Sequence, residues 1–133
     1  FGVSEPRIAV AGLNPHNGEG GKCGTEEIDV IAPAIKKAVE AGVNAVGPIS
    51  GDVVMMRAFK GEFDAVITMF HDQGQIALKV NGIEKGVTIG GGLPYPITTP
   101  AHGTAFGRAG KGYASTSAFE YAVNVLARMV EDK

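Results

Sequence analysis

The sequence predicts an α/β protein with three αβα layers around a mostly parallel sheet. Three observations predict it. Short apolar runs rich in valine and isoleucine alternate with stretches of helical periodicity. These runs end at polar or glycine-rich turns. Reactive side chains, His16, Asp52 and His71 with Asp72, come soon after different runs, where open α/β sheets hold their ligands. The length of 133 residues suits a single α/β lobe spanning 1–133, with a modest core.

Residues 7–12, Arg7-Ile8-Ala9-Val10-Ala11-Gly12, read as the first strand and lead into the loop Leu13-Asn14-Pro15-His16-Asn17-Gly18. Thr25 is a good N-cap for the following helix, with Glu26 and Glu27 in its first turn. Ile28, Ile31, Ile35 and Val39 keep helical spacing and are expected to face the core. Pro33 should break or kink this helix and restart it, and Gly42 should end it. Residues 45–49 form the next strand, carrying Ser50-Gly51-Asp52 to the same sheet edge, and residues 53–59 a short helix. Residues 65–70 read as a buried strand that stops at His71 and Asp72, after which Gln73 and Gly74 turn the chain into Ile76-Ala77-Leu78-Lys79. A further strand is expected over 86–89, then a long loop carrying Thr98 to Gly112. The last helix spans 116–129, with Phe119, Val123, Leu126 and Val130 as its apolar stripe.

Composition narrows the partners. A net charge of −2 without a basic run argues against nucleic acid or a membrane surface, leaving a small molecule. Cys23 is the only cysteine, so no disulfide forms within the chain, which suits the reducing cytoplasm. No apolar segment is long enough to span a bilayer. The polar lead of residues 1–6 and the lack of an initiating methionine predict a segment of a longer protein, or a trimmed one.

His16, His71 and His102 could together offer three imidazoles to a divalent cation and leave a position open for substrate. A lone loop histidine is more often unliganded than a ligand, and Asp72 could simply cap a helix. Lys79, eight residues beyond His71, adds a candidate for acid-base chemistry.

Leu13-Asn14-Pro15-His16 with Gly24-Thr25-Glu26-Glu27, then Phe70-His71-Asp72-Gln73-Gly74, then His102-Gly103-Thr104-Ala105 closely resemble the 4-hydroxythreonine-4-phosphate dehydrogenase (PdxA) family of pyridoxine biosynthesis. The resemblance covers the C-terminal part of that family. It implies one lobe of an isocitrate/isopropylmalate dehydrogenase-like fold, in a cytoplasmic homodimer with shared active sites. It implies oxidation of a secondary hydroxyl of a small hydroxy acid by NAD or NADP with a divalent metal (zinc, manganese, cobalt or magnesium), followed by loss of carbon dioxide. His16 and His71 then match two of three metal-ligating histidines, the third lying upstream. His102, Gly103, Thr104 and Ala105 fall in the nucleotide-binding loop rather than at the metal. Asp52 and Lys79 match substrate-contacting positions, and are the residues to which the resemblance points for catalysis. Without the upstream lobe the isolated chain is expected to bind metal weakly and to turn over little; it could equally be an inactive metal- or ligand-binding module.

Three positions depart from the pattern. Thr88 stands where the namesake enzymes have a substrate-binding asparagine, and Ile97 where they have an arginine; an isoleucine cannot replace the arginine's bidentate grip on phosphate. Pro100-Ala101-His102-Gly103 looks more like relatives that dehydrogenate carboxylated cyclohexadiene cis-diols. Gly107 followed by Arg108 replaces the acid that often binds the adenosine ribose hydroxyls, so a ribose phosphate, as in NADP, is expected to be tolerated.

Overall fold

The computed structural model describes residues 2–131. Two compact units divide the chain: Val3–Ala77, and the part from Leu78 on.

In the first unit, strands β1 (Ile8–Ala11), β2 (Ala45–Ile49) and β3 (Ala65–Ile67) form a parallel sheet in the order β2-β1-β3. Central β1 buries Ala9, Val10 and Ala11, and its alternation sorts side chains to two faces. Ala9 and Ala11 meet Val54 of helix α2 (Gly51–Phe59), with Ile49, Met55, Phe63 and Val66 around them. Burying Val54 completely contributes roughly 1.5–3 kcal/mol. On the other face, Val10 and Ile35 of helix α1 (Ala32–Glu40) close over Gly47 of β2, where a Cβ would meet the Val10 carbonyl oxygen. Helices thus lie on both faces, giving the three layers.

A carboxylate and a guanidinium lock the amino ends of β1 and β3. Arg7 donates from its amide and Nε to Asp64 Oδ2 at 2.8 and 2.9 Å and from Nη2 to Oδ1 at 2.9 Å. These bonds pull the Asp64 pKa down to about 2.

Helix α1 is preceded by a π-type turn, Glu27–Ile31, and the backbone stays helical through Ile31 and Ala32 into α1. The break expected at Pro33 is therefore a change from the wider to the tighter helix. Thr25 caps with its backbone: its carbonyl accepts the amides of Ile28 and Asp29, and no side-chain cap bond forms. The wider turn also rotates the stripe. Glu27 and Ile31 are buried and Ile35 half-buried, whereas Ile28, expected in the core, is 54% exposed and Val39 faces outward as well.

Strand β3 is shorter and more open than its apolar run suggests. It pairs only with β1, Ile67 is 52% exposed, and the chain leaves the sheet at Thr68. Gln73 Oε1 takes the Met69 and Phe70 amides at 2.9 and 3.3 Å, donors that a longer strand would have used. Gln73 and Gly74 belong to helix α3 (His71–Gly82), which starts at His71, instead of forming a turn.

Beyond Leu78 lies an antiparallel hairpin of β4 (Val87–Gly90) and β5 (Ile97–Pro100), with Thr88 opposite Thr99 and Gly90 opposite Ile97. β5 falls in the expected long loop. Helix α4 (Ser117–Glu131) packs on the hairpin through buried Ala118 and Ala122, and Thr98 Oγ1 donates to the Ala122 carbonyl at 3.1 Å. The small alanines admit this close approach. The stripe expected from sequence is thus mostly one position off: Phe119 is 59% exposed and Val123 and Val130 also point away, while Leu126 is half-buried as expected. Among the described residues no helix is long and apolar enough to cross a membrane.

Candidate functional site

In the first unit, the carboxyl ends of three parallel strands deliver His16, Asp52 and His71. β1 runs into a 3-10 segment, Pro15–Gly21, in which residues 16–20 all have positive φ between 45° and 76°. A left-handed conformation costs about 1–2 kcal/mol for each non-glycine residue, here His16, Asn17 and Glu19. Bonds to the rest of the unit offset that cost. Buried Glu27 accepts the Leu13 and Asn14 amides on Oε1 at 2.7 and 2.6 Å and the Asn14 Nδ2 on Oε2 at 2.9 Å. Burial alone would raise the Glu27 pKa, but the Asn14 and Leu13 donors outweigh it and hold the group charged below the ordinary glutamate range. Asn17 Nδ2 donates to the Pro48 carbonyl at 2.8 Å, while its Oδ1 lies buried where a Cβ on Gly12 would sit.

His16 is exposed, with Nδ1 2.8 Å from Glu19 Oε1. The Glu19 hydrogen bond and charge, then the Asp52 charge, raise its pKa. Asp52 accepts a 2.6 Å bond from Ser50 Oγ in the first turn of α2; that bond, the helix amides and the nearness of His16 lower its pKa. His71 opens α3 one strand over, and Lys79 lies eight residues further along that helix. Gln73 ties the strand ends together: Nε2 donates to the Gly12 carbonyl at 3.0 Å and lies so close to Gly51 that a Cβ there would sit 2.8 Å from it. Among the described residues no group of three or more histidine, cysteine, aspartate or glutamate side chains is placed to hold a metal ion. His16 and His71 are two imidazole donors at neighbouring strand ends; by donor count they fit part of a metal site and need a further ligand.

His102 belongs to the second unit. There a 430 Å³ cavity is lined by Ile83, Glu84, His102, Gly103, Ala105 and Arg108, with Ala114, Ser115 and Ala118 completing the wall. Four of the five residues expected at a nucleotide are in that lining; Thr104 is not. Ala105 is held at φ 52°, a strained conformation of the kind found at ligand-binding loops. The Arg108 guanidinium lies over the Tyr113 ring at 5.8 Å. Thr88 and Ile97 stand on the two hairpin strands, Ile97 half exposed. Sequence reasoning named Glu27 and Gln73 without showing that they hold the strand ends, and gave no sign that Glu84 lines the cavity. A carboxylate four residues before core-facing Ile31 was the available signal for Glu27.

A parallel-sheet unit with reactive strand ends, and a hairpin unit with a small-walled cavity, mark a part of an isocitrate dehydrogenase-like α/β enzyme fold. The model of the pyridoxal phosphate biosynthetic protein PdxA family matches residues 1–126, and the chain belongs to that family. It is 53% identical over 129 residues to a 4-hydroxythreonine-4-phosphate dehydrogenase of Beijerinckia indica, covering 97% of this chain and 38% of the relative. A Halalkalibacterium halodurans relative carrying D-threonate 4-phosphate dehydrogenase in its name is 50% identical, over 96% of this chain and 38% of its own. The crystal structure of 4-hydroxythreonine-4-phosphate dehydrogenase from Klebsiella pneumoniae superposes with a TM-score of 0.80 at 44% identity, covering 94% of this chain and 38% of that one. A terephthalate 1,2-cis-dihydrodiol dehydrogenase from Burkholderia xenovorans gives 0.64 at 26% identity, over 94% and 40%. The chain thus spans about two fifths of the length of the relatives it matches.

Proposed function

We propose that this chain serves as part of a metal-dependent NAD(P) dehydrogenase that oxidises a secondary hydroxyl of a small hydroxy acid, with loss of carbon dioxide afterwards. The observation that carries the reading is the cavity: four residues singled out for nucleotide binding, His102, Gly103, Ala105 and Arg108, line it together. Its volume lies in the lower part of the range of about 300–1,000 Å³ usual for ligand sites and suits part of a dinucleotide.

His16 and His71 would hold a divalent cation with a ligand from outside this chain, and imidazole donors favour zinc, manganese or cobalt over magnesium. Such a cation, when bound, eases ionisation of the substrate hydroxyl and steadies negative charge as carbon dioxide leaves. Asp52 orients the hydroxyl or amine of the substrate. Lys79 relays the hydroxyl proton or holds the substrate's anionic group. A nicotinamide, when bound by the residues lining the cavity, would supply the hydride acceptor needed to oxidise that hydroxyl to a carbonyl. The working form in this reading is a cytoplasmic homodimer with active sites shared between subunits, and NADP is accepted beside NAD because Gly107 and Arg108 replace an acid.

Ile97 offers a phosphate no donor, which favours a substrate held less by phosphate than 4-hydroxythreonine 4-phosphate is. The solved cis-dihydrodiol dehydrogenase neighbour keeps a carboxylated cyclohexadiene diol as the second candidate. The test assays the full-length protein with 4-hydroxythreonine 4-phosphate, D-threonate 4-phosphate and the cis-diol, each with NAD and NADP, alongside its metal content. Metal-dependent nucleotide reduction with one substrate supports the reading. A metal-free protein that reduces neither nucleotide with any of them sinks it, in favour of a non-catalytic binding module.

A further inference from the structure

We infer that Glu84 supplies the acceptor for the adenosine ribose hydroxyls that the 101–113 loop lacks, while Arg108 in the same cavity serves a phosphate, so that the two side chains divide the recognition of NAD and NADP between them. This rests on reading the cavity as the nucleotide site.

Residues 101–113 contain no aspartate or glutamate, so the loop itself offers a ribose no carboxylate. Glu84 comes from a different element, the 3-10 turn Ile83–Lys85, and is the one carboxylate lining the cavity. Its Oε1 folds back over Gly82, where a Cβ would approach to 2.9 Å and where φ is 126°, so glycine leaves the carboxylate its place. Among the described residues Glu84 makes no side-chain hydrogen bond or ion pair; Arg108 likewise has no ion pair and rests on the Tyr113 ring. An acid and a base that share a cavity wall without pairing leave their hydrogen-bonding capacity for a guest. The guest that fits offers hydroxyl donors to the carboxylate and an anion to the guanidinium, against walls kept low by Gly103, Ala105, Ala114 and Ala118. A ribose diol satisfies a carboxylate with two O–H donors. A 2′-phosphate in its place is repelled by that carboxylate and attracted by a guanidinium, which binds phosphate in a bidentate fork.

The experiment measures dissociation constants of NAD and NADP by calorimetry on the full-length protein, for the natural sequence, Glu84→Gln and Arg108→Ala. Thermal melting checks that both variants stay folded. Glu84→Gln is expected to weaken NAD about tenfold, the scale of one lost bond to a charged acceptor, and to leave NADP as tight or tighter. Arg108→Ala is expected to weaken NADP about tenfold and NAD much less. Nucleotide binding that Glu84→Gln leaves unchanged, or weakens equally for both, overturns the role of Glu84 while the cavity remains the cofactor site. Failure of the natural protein to bind either nucleotide overturns both together.

Discussion

Glu27 is the one buried charge on the inner face of its helix, and its removal tests whether it holds the His16 loop. Oε1 accepts two backbone amides and Oε2 one side-chain amide, at 2.6–2.9 Å. Each bond to a charged acceptor contributes about 1.5–3 kcal/mol. Glu27→Ala removes all three and leaves the Leu13 and Asn14 amides half-buried without a partner. Partial rehydration of the loop discounts the sum, so the expected loss is about 3–5 kcal/mol. Glu27→Gln keeps an oxygen for the two amides but loses the charge and turns an NH2 group toward Asn14 Nδ2. Asn14 retains Glu26 Oε2 at 2.6 Å, so this loss should be about 1–3 kcal/mol. Urea denaturation gives the totals, and hydrogen exchange at the Leu13 and Asn14 amides locates them. The folded-state pKa of Glu27 is depressed, so its contribution is present above the unfolded pKa and fades as pH falls through the folded value. The gap between natural protein and Glu27→Gln should therefore narrow in acid. Losses below about 0.5 kcal/mol, or equal losses for glutamine and alanine, would refute the reasoning.

Other perturbations test the remaining contacts. Asp64, held at about pH 2 by Arg7, should make folding lose stability as pH falls from the ordinary aspartate range toward that value; Asp64→Asn should remove one proton from the uptake on acid unfolding. An unchanged acid slope would mean that the clamp does not persist in solution. Gln73→Leu takes the acceptor from the Met69 and Phe70 amides and the donor from Gly12, with an expected loss of about 1–3 kcal/mol and faster exchange at Met69. Exchange at Met69 as slow as in the natural protein would argue against Gln73 ending the strand. Ala122→Leu should overpack the contact between α4 and the hairpin and lower the melting temperature, at a cost of about 1–3 kcal/mol. An unaltered melting curve would show that the helix can step away freely.

The backbone skeleton was legible where periodicity and punctuation agreed. Residues 45–49 are a strand with the expected bounds, and the first strand and the α2 helix fall within a residue or two of expectation. The last helix's stripe was read mostly one position off, and the first helix's was right at Ile31 and Ile35 but missed Glu27 in favour of Ile28, for a common reason. The packed positions carry small or polar residues, Ala118 and Ala122 in one helix and Glu27 in the other, so larger apolar neighbours gave the stronger pattern. β5 was hidden because Ile97-Thr98-Thr99 sits between Pro96 and Pro100, which weaken any strand signal although an edge strand tolerates them. Of the candidate site, strand-end placement was readable for His16, Asp52 and His71. The groups that hold those ends, Gln73 and Glu27, act across 61 and 13–14 residues of sequence; helical spacing could mark Glu27 as inward-facing, but no local pattern names the amides either residue holds.

The left-handed run of residues 16–20 has an evolutionary consequence. Its cost falls on backbone hand before any side chain acts, so drift there is filtered first by chirality. Valine, isoleucine and threonine should be purged from residues 16–20 even in a population selected only for a folded product. Glycine, asparagine, aspartate and histidine should dominate the survivors, and Glu19, tied to His16 Nδ1 at 2.8 Å, would then be the exception that only its contact explains.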